Sequence, residues 1–383
     1  GTDGPFRSPE RARDAVRALK AAGKYPKGGG VTVFIGGGTH RMEKTLALTS
    51  EDAGTKRSPV VWRGRPGETA VLTGGFTVTG LRPVGEPGVV ARLDPAARGH
   101  VFAADLKALG VTDYGEASPA RGKRIEVYFR GKFLTLARYP NEGWLTIADV
   151  PQTGPKRLNE GLDRDKSAVP RGRHYGRFAY EGDRPAKWAA SDDIWVHGYW
   201  VWDWADEYLK AARIDTAARE VYPAEPHHGY GYAKGQRYFL NILEKLDTPG
   251  EWYLDRATGI LYIWPPETPR EGDVTVSALE DPMIALDGAS HVTVRGLALE
   301  NARGAAVTVK GGSDVAIAGC SFRNFGRTCV TIDGGERNGV KSCDIHDTAA
   351  GGVIIHGGDR AKLVPAGNYA DNCHIHDFAI RLK

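Results

Sequence analysis

The sequence is nearly without methionine, with 2 in 383 residues, and it has only 4 cysteines, all among the last 64 positions. None of the four has CxxC spacing, which removes the usual zinc ribbons and fingers. No apolar run approaches the 18 or so residues that a membrane-crossing helix needs. No Asn-x-Ser/Thr sequon occurs, so no surface loop is marked for glycosylation. Charge of either sign is not in surplus: 51 Lys and Arg stand against 47 Asp and Glu, a balance of +4. Interspersed as they are, these charges build no field for nucleic acid or a membrane surface. Apolar residues make up an ordinary 41%, enough for a packed core.

What the chain does have is glycine, 50 residues, beside 22 prolines. Much glycine without low complexity indicates many tight turns between short strands, an all-β signature. Three segments superpose without gaps at an offset of 23 residues: LALENARGAAVTVKG from Leu297, CSFRNFGRTCVTIDG from Cys320 and CDIHDTAAGGVIIHG from Cys343. A fourth copy, CHIHDF from Cys373, follows an insertion of seven residues placed within DRAKLVPAG. Apolar residues alternate within each copy and recur between copies, as in Leu299/Phe322/Ile345 and Val307/Val330/Val353. Stacked rungs of a parallel β-helix require this, because one side chain per rung must pile on its neighbour inside. Asn301, Asn324, Asp347 and Asp377 then form a polar ladder at a bend, bonding backbone groups left unpaired by the turn. The cysteines read as small buried hydrophobes, for which a disulfide is not required.

The rest of the chain is less regular. Ser8-Pro9-Glu10 supplies an N-cap and an N1 proline to a short helix with Ala12, Val16 and Leu19 on one face, expected to cap the open end of the coil. GGVTVFIGGGTHRM, TLALTS, SPVVWRG and AVLTGG read as strands of the first rungs. The repeat then vanishes. IEVYFRGKFLTLARYP and EWYLDRATGILYIWPP read as hairpins, and between them DIWVHGYWVWDWADEY carries four tryptophans in ten residues. Three regions are expected: a cap and first rungs over 1–99, an inserted β-rich subdomain over 100–267, and the C-terminal rungs over 268–383.

Candidate chemistry lies on the outward columns. With Cys343 and Ile345 inside, Asp344 and His346 point outward, and the next rung adds His374 and His376 one strand spacing away, about 4.8 Å. Such a group can hold a metal, but outward columns of a solenoid are ordinarily just polar, and no metal is assigned. A second outward column, Lys310, Asp333 and His356, sets a carboxylate between two bases and suits general acid or base work. Glycoside hydrolysis needs two carboxyl groups flanking the scissile bond, and the strand starts Gly304-Ala305, Arg327-Thr328 and Ala350-Gly351 supply none. In the insertion, Trp200 and Trp202 with His197 and Asp203 suit stacking on and bonding to a sugar. The loop HHGYGYAKG adds His228 and Tyr230 over the groove.

The runs THRMEKTLALTSEDAGTKRSPVVWRGRPGETAVLTGG, WVHGYWVWDWADEY, GQRYFLNILEKLDTPGEWYLDRATGILYIWPP and NYADNCHIHDF resemble signatures of a group of secreted bacterial β-helix proteins. The chain looks like glycoside hydrolase family 141, a fucosidase and xylanase family, and its unclassified relatives, from about Gly36 to Phe378. The resemblance implies a right-handed parallel β-helix with an inserted β-domain, secreted or periplasmic, acting on plant or algal polysaccharide. It places the family's acid pair on rungs after NCHIHDF, so no residue here inherits that role. On the residues present, hydrolysis would use Asp333 with His356, then Asp344, His346 and His374, with Arg327 and Lys310 binding substrate. A lyase would use Lys310, Arg327 or His356 as base, with calcium neutralising a uronate. A glycan-binding solenoid without turnover is the third reading. The expected partner is a poly- or oligosaccharide, bound by a monomer with no cofactor.

Overall fold

The computed structural model describes residues 4–118, 124–151, 176–188, 191, 193–204, 206–225, 228, 231–235 and 237–381. The 23-residue period is realised as the rungs of a right-handed parallel β-helix. Three sheets run along it. Sheet A stacks Val31–Ile35, Val60–Gly64, Val292–Arg295, Ala316–Ala318, Gly339–Lys341 and Tyr369–Asp371. Sheet B stacks Gly38–Arg41, Ala70–Thr73, Ala298–Ala302, Ser321–Phe325, Asp344–Thr348 and His374–Ile375. Sheet C stacks Leu46–Thr49, Ile284–Asp287, Val307–Lys310, Val330–Asp333 and Val353–His356.

The expected columns are in register. Leu72, Leu299, Phe322 and Ile345 pair in turn along sheet B, and Val307, Val330 and Val353 along sheet C. All but Val353, in the last rung, are buried. Fully burying each such side chain contributes on the order of 1.5–3 kcal/mol. All four cysteines are free. Cys320, Cys343 and Cys373 repeat one contact, each thiol pointing at a carbonyl of the preceding rung: Val294 at 3.8 Å, Ile317 at 3.5 Å and Val340 at 3.6 Å.

Because each rung pairs only with its neighbours, a large excursion at one turn leaves the ladder intact. The second rung shows it. Its sheet B strand, Ala70–Thr73, precedes the excursion, and its sheet C strand, Ile284–Asp287, follows it. Even so, Ile284–Asp287 pairs with both Leu46–Thr49 and Val307–Lys310.

Two corners are built from side-chain amides. At the bend after sheet B, Asn301, Asn324, Asp347 and Asp377 have φ of +60°, +63°, +51° and +47°, a left-handed conformation that Asn and Asp tolerate best after glycine. Asn324 Nδ2 donates to Asn301 Oδ1 at 2.9 Å. At the bend before sheet A, fully buried Asn338 accepts from the Val315 amide and donates to the Gly311 carbonyl, both at 3.0 Å. Gly312 at this corner has φ +64°, and a Cβ there would stand 1.9 Å from the Ala289 carbonyl oxygen, so only glycine fits.

The N-terminal helix spans Pro9–Ala21, and Ser8 Oγ accepts from the Arg11 amide. Ala12 and Val16 are buried, whereas Leu19 is 38% exposed and falls off the packed face. The helix covers the first rung by giving donors to its open carbonyls: Arg13 reaches Ala47 O at 3.1 Å, and Lys20 reaches Glu51 O and Ala53 O at 2.6 Å. Supplying such partners blunts an open sheet edge.

A second compact unit comprises Thr77–Ala120 and Val127–Val274. It begins before residue 100 because Arg82–Pro83 pairs with Phe102–Asp105, which joins the sheet of the hairpin Glu251–Asp255/Ile260–Trp264. A further antiparallel sheet contains Trp195–Tyr199, Asp206–Asp215 and Glu220–Pro223. The Val127–Phe129/Lys132–Phe133 hairpin turns through Arg130 and Gly131 at φ +47° and +75°, the backbone that a tight two-residue turn needs.

Candidate functional site

Apart from Arg327, the sequence-predicted residues fall into three places. Lys310, Asp333 and His356 end successive strands of sheet C and pair directly in register. All three are exposed. Among the described residues no ion pair or side-chain hydrogen bond joins them, so both oxygens of Asp333 are open to a ligand. The column extends one rung further, where Asp287 pairs with Lys310 and is likewise exposed. Two carboxylates therefore flank one lysine, two rungs apart, about 9–10 Å at a strand spacing of about 4.8 Å. Asp287 escaped the sequence reading although the signal was present: Ile284-Ala285-Leu286-Asp287-Gly288 matches Val307-Thr308-Val309-Lys310-Gly311 at the same offset of 23.

Asp344, His346 and His374 lie on a different sheet, on the outer face of sheet B. One column reads Ser321, Asp344, His374, and its neighbour Glu300, Arg323, His346, closed by His376 whose amide donates to Ile345 O at 3.0 Å. Arg323 Nε and Nη2 both reach Glu300 Oε2, at 2.7 and 2.5 Å, so that carboxylate is engaged. Asp344 Oδ1 lies 3.2 Å from His374 Nδ1 and 3.4 Å from His376 Nε2. The imidazoles are stacked, His374 on His376 at 4.1 Å and His346 on His376 at 5.1 Å between centroids. His346 Nδ1 bonds Asp347 Oδ2 at 2.7 Å, and His376 Nδ1 bonds Asp377 Oδ2 at 2.8 Å. The bond to Asp377 raises the pKa of His376 above the ordinary imidazole value. The two bend aspartates thus also orient the two histidines. Arg327, exposed in the turn between sheets B and C, belongs to neither cluster.

The insert residues form a third group, and here one expectation is corrected. Trp200 offers no face to a sugar: it is fully buried, packs among Phe178 and Tyr232, and donates from Nε1 to the Glu207 carbonyl at 3.0 Å. The strand ends at Tyr199, so Trp200 lies beyond its in-and-out alternation and enters the core. His197 and His228 are also buried. His197 Nε2 bonds Asp206 at 2.6 Å under the ring of Tyr208, stacked at 3.9 Å, and His228 Nδ1 bonds Glu207 at 2.7 Å. Asp203 is exposed and Trp202 half-buried; Tyr230 lies outside the described residues. The same unit holds a cleft of about 760 Å³ that the sequence did not announce, lined by Trp195, Tyr253, Asp193, Lys210 and Arg256 among others. Burial alone would raise the Asp193 pKa, but Arg256 at 2.8 Å and Lys210 at 3.2 Å carry it below the usual carboxylate value.

The model of a family described as a right-handed β-helix region matches residues 262–380. No curated protein matches the sequence. One solved structure, a glycoside hydrolase, aligns over 100% of this chain and 71% of its own, at 16% identity and a TM-score of 0.69. Another, a complex of XylC with xylose, aligns over 97% of this chain and 60% of its own, at 9% identity and a TM-score of 0.38. At 16% identity the likeness to the first establishes a shared fold.

Proposed function

We propose that the chain is a glycan-cleaving enzyme of the glycoside hydrolase class, secreted or periplasmic, with its saccharide lying across the exposed strand ends of sheet C. The observation that carries this reading is the column Asp287–Lys310–Asp333–His356. Inverting hydrolysis needs two carboxyl groups about 6.5–9.5 Å apart, one to protonate the leaving oxygen and one to activate water on the opposite face of the ring. Two rungs of a β-helix separate the backbones of Asp287 and Asp333 by about 9–10 Å, and their side chains need lean together only slightly to fall within that range. Asp333 has His356 beside it to share a proton and is the general acid in this reading; Asp287 is the base. Lys310 lies between them, where its ammonium can bond a sugar hydroxyl or ring substituent. The fold shared with a protein described as a glycoside hydrolase and the resemblance to family 141 both support the reaction class.

The test is incubation with xylose- and fucose-containing polysaccharides, with new reducing ends measured and the product anomer read by NMR. Asp333→Asn and Asp287→Asn should each lower kcat by about 10²–10⁴-fold, and the first-formed anomer should be inverted. Full activity in both variants would sink the assignment. An unsaturated product absorbing in the ultraviolet would replace hydrolysis by elimination, with Lys310 as the base.

A further inference from the structure

We propose that Asp344, His374 and His376 form a binding site for a first-row divalent transition ion, with zinc(II) the ion that the donors favour. The ligand atoms are Asp344 Oδ1, His374 Nδ1 and His376 Nε2, which all lie within 4.8 Å of one another. Zinc held tetrahedrally by bonds of about 2.0–2.1 Å has ligand–ligand edges of about 3.3–3.4 Å. Two of the three edges here, 3.2 and 3.4 Å, already have that length, and binding requires the stacked, exposed His374 ring to turn until its nitrogen and His376 Nε2 face one point. Two imidazoles and one carboxylate suit zinc and its first-row neighbours rather than calcium, which takes six to eight oxygens.

Three further features separate the trio from a chance surface cluster. The backbone fixes its spacing: Asp344 pairs with His374 in register, and the His376 amide is tied to Ile345 O, so the donors come from adjacent rungs of a rigid sheet. Asp377 accepts from His376 Nδ1 at 2.8 Å, which orients the ring and holds that proton, so Nε2, facing Asp344, is the nitrogen that a metal would take in place of a proton. A carboxylate behind a histidine is the usual outer support of a metal ligand. Finally, the side chains of His374, Asp344 and His376 are 75%, 49% and 35% exposed. An ion could therefore enter from solvent and keep at least one position for water or a substrate oxygen. His346 stays outside the trio, its ring stacked nearly parallel on His376 and limiting that ring's rotation.

The site is on sheet B, whereas the proposed acid and base are on sheet C, so the inference does not depend on the hydrolase reading. It is tested without any glycan. After chelator treatment and dialysis, the whole chain is titrated calorimetrically with zinc alone, and cobalt(II) is added separately for its visible spectrum. Binding of one zinc per chain with a micromolar or tighter Kd is expected, with the intense visible bands of four-coordinate cobalt. Asp344→Asn and His374→Ala should each weaken zinc at least 10-fold. Asp377→Asn, which touches no ligand-binding atom, should weaken it about 10-fold through His376. His374 is so exposed that its removal leaves the fold intact, and circular dichroism would check this. Zinc affinity unchanged in Asp344→Asn and His374→Ala, or binding only at millimolar zinc, would overturn the site.

Discussion

Asn338 and Glu251 are both buried polar side chains that cap backbone amides, one in each compact unit, and they do it with different chemistry. Asn338 accepts a hydrogen bond from the Val315 amide and donates one to the Gly311 carbonyl, staying neutral at 0% exposure. Glu251, 4% exposed, accepts from the amides of Asp247 and Thr248 at 3.0 and 3.1 Å. Burial pushes its pKa up to about 7. The corner at Asn338, repeated at Asn368 one rung later, leaves a donor and an acceptor unpaired together, which an amide satisfies at no electrostatic cost. The non-repeating turn before Glu251 presents donors only, and a carboxyl can serve these while carrying a charge that its surroundings disfavour. Of these two turns, the one inside the coil uses the neutral solution and the one-off turn the titratable one.

The largest effect should come from breaking the neutral corner. Asn338→Ala leaves the Val315 amide and the Gly311 carbonyl without partners inside the coil, at a cost of about 2–4 kcal/mol. Urea denaturation should show that loss undiminished across pH, since no charge is involved. A loss below about 1 kcal/mol would mean that water or a neighbouring side chain substitutes, and the corner would not differ from an ordinary surface turn.

Next in size is Glu251→Gln, whose effect should depend on pH. The folded-state pKa of about 7 lies above the unfolded value of 4.5, so between them the folded protein binds more protons than the unfolded chain. Stability conferred on the protonated form is present in full below about 4.5 and is lost as pH rises through about 7. The glutamine variant keeps an acceptor for both amides without the charge. It should match the wild type near pH 4.5 and exceed it by about 1–3 kcal/mol near pH 8. Equal pH profiles for the two proteins would put the carboxyl in a wetter setting than its burial indicates.

How much could be read from the sequence follows the same division. The coil was legible because its 23-residue period fixes which side chains stack: Leu299 on Phe322 on Ile345, and Val307 on Val330 on Val353. The bend was legible too, since Asn, Asn, Asp and Asp recur at one column, but its left-handed backbone and the side-chain partners of Asn324, Asp347 and Asp377 were not. Asp287 was readable by extending the period one copy towards the N-terminus. The convergence of His374 and His376 on Asp344 was only half readable, because periodicity gives the outward direction but not the rotamers that bring the ring nitrogens together. In the insert nothing repeats, so residue type had to carry the reading alone. It failed at Trp200, one residue beyond the strand end, and could not foresee that His197 and His228 are buried against Asp206 and Glu207.

The smallest expected effect sharpens the comparison within a single column. Asn324 is buried and bonds Asn301, whereas the equivalent Asp347 has a side chain 42% exposed and bonds the ring of its own neighbour, His346. Both residues hold the same left-handed backbone, so the column demands a conformation and leaves the side chain's charge open. Asp347→Asn keeps the conformation and gives up only a half-exposed ion pair, so stability should change by about 0.5 kcal/mol or less. The His346 ring should keep an acceptor in the amide oxygen but lose the neighbouring charge, visible as a shift of its NMR resonances. A loss of 1 kcal/mol or more in that variant would show that charge at this bend is part of the coil itself, and Asp377 would then have to be read the same way.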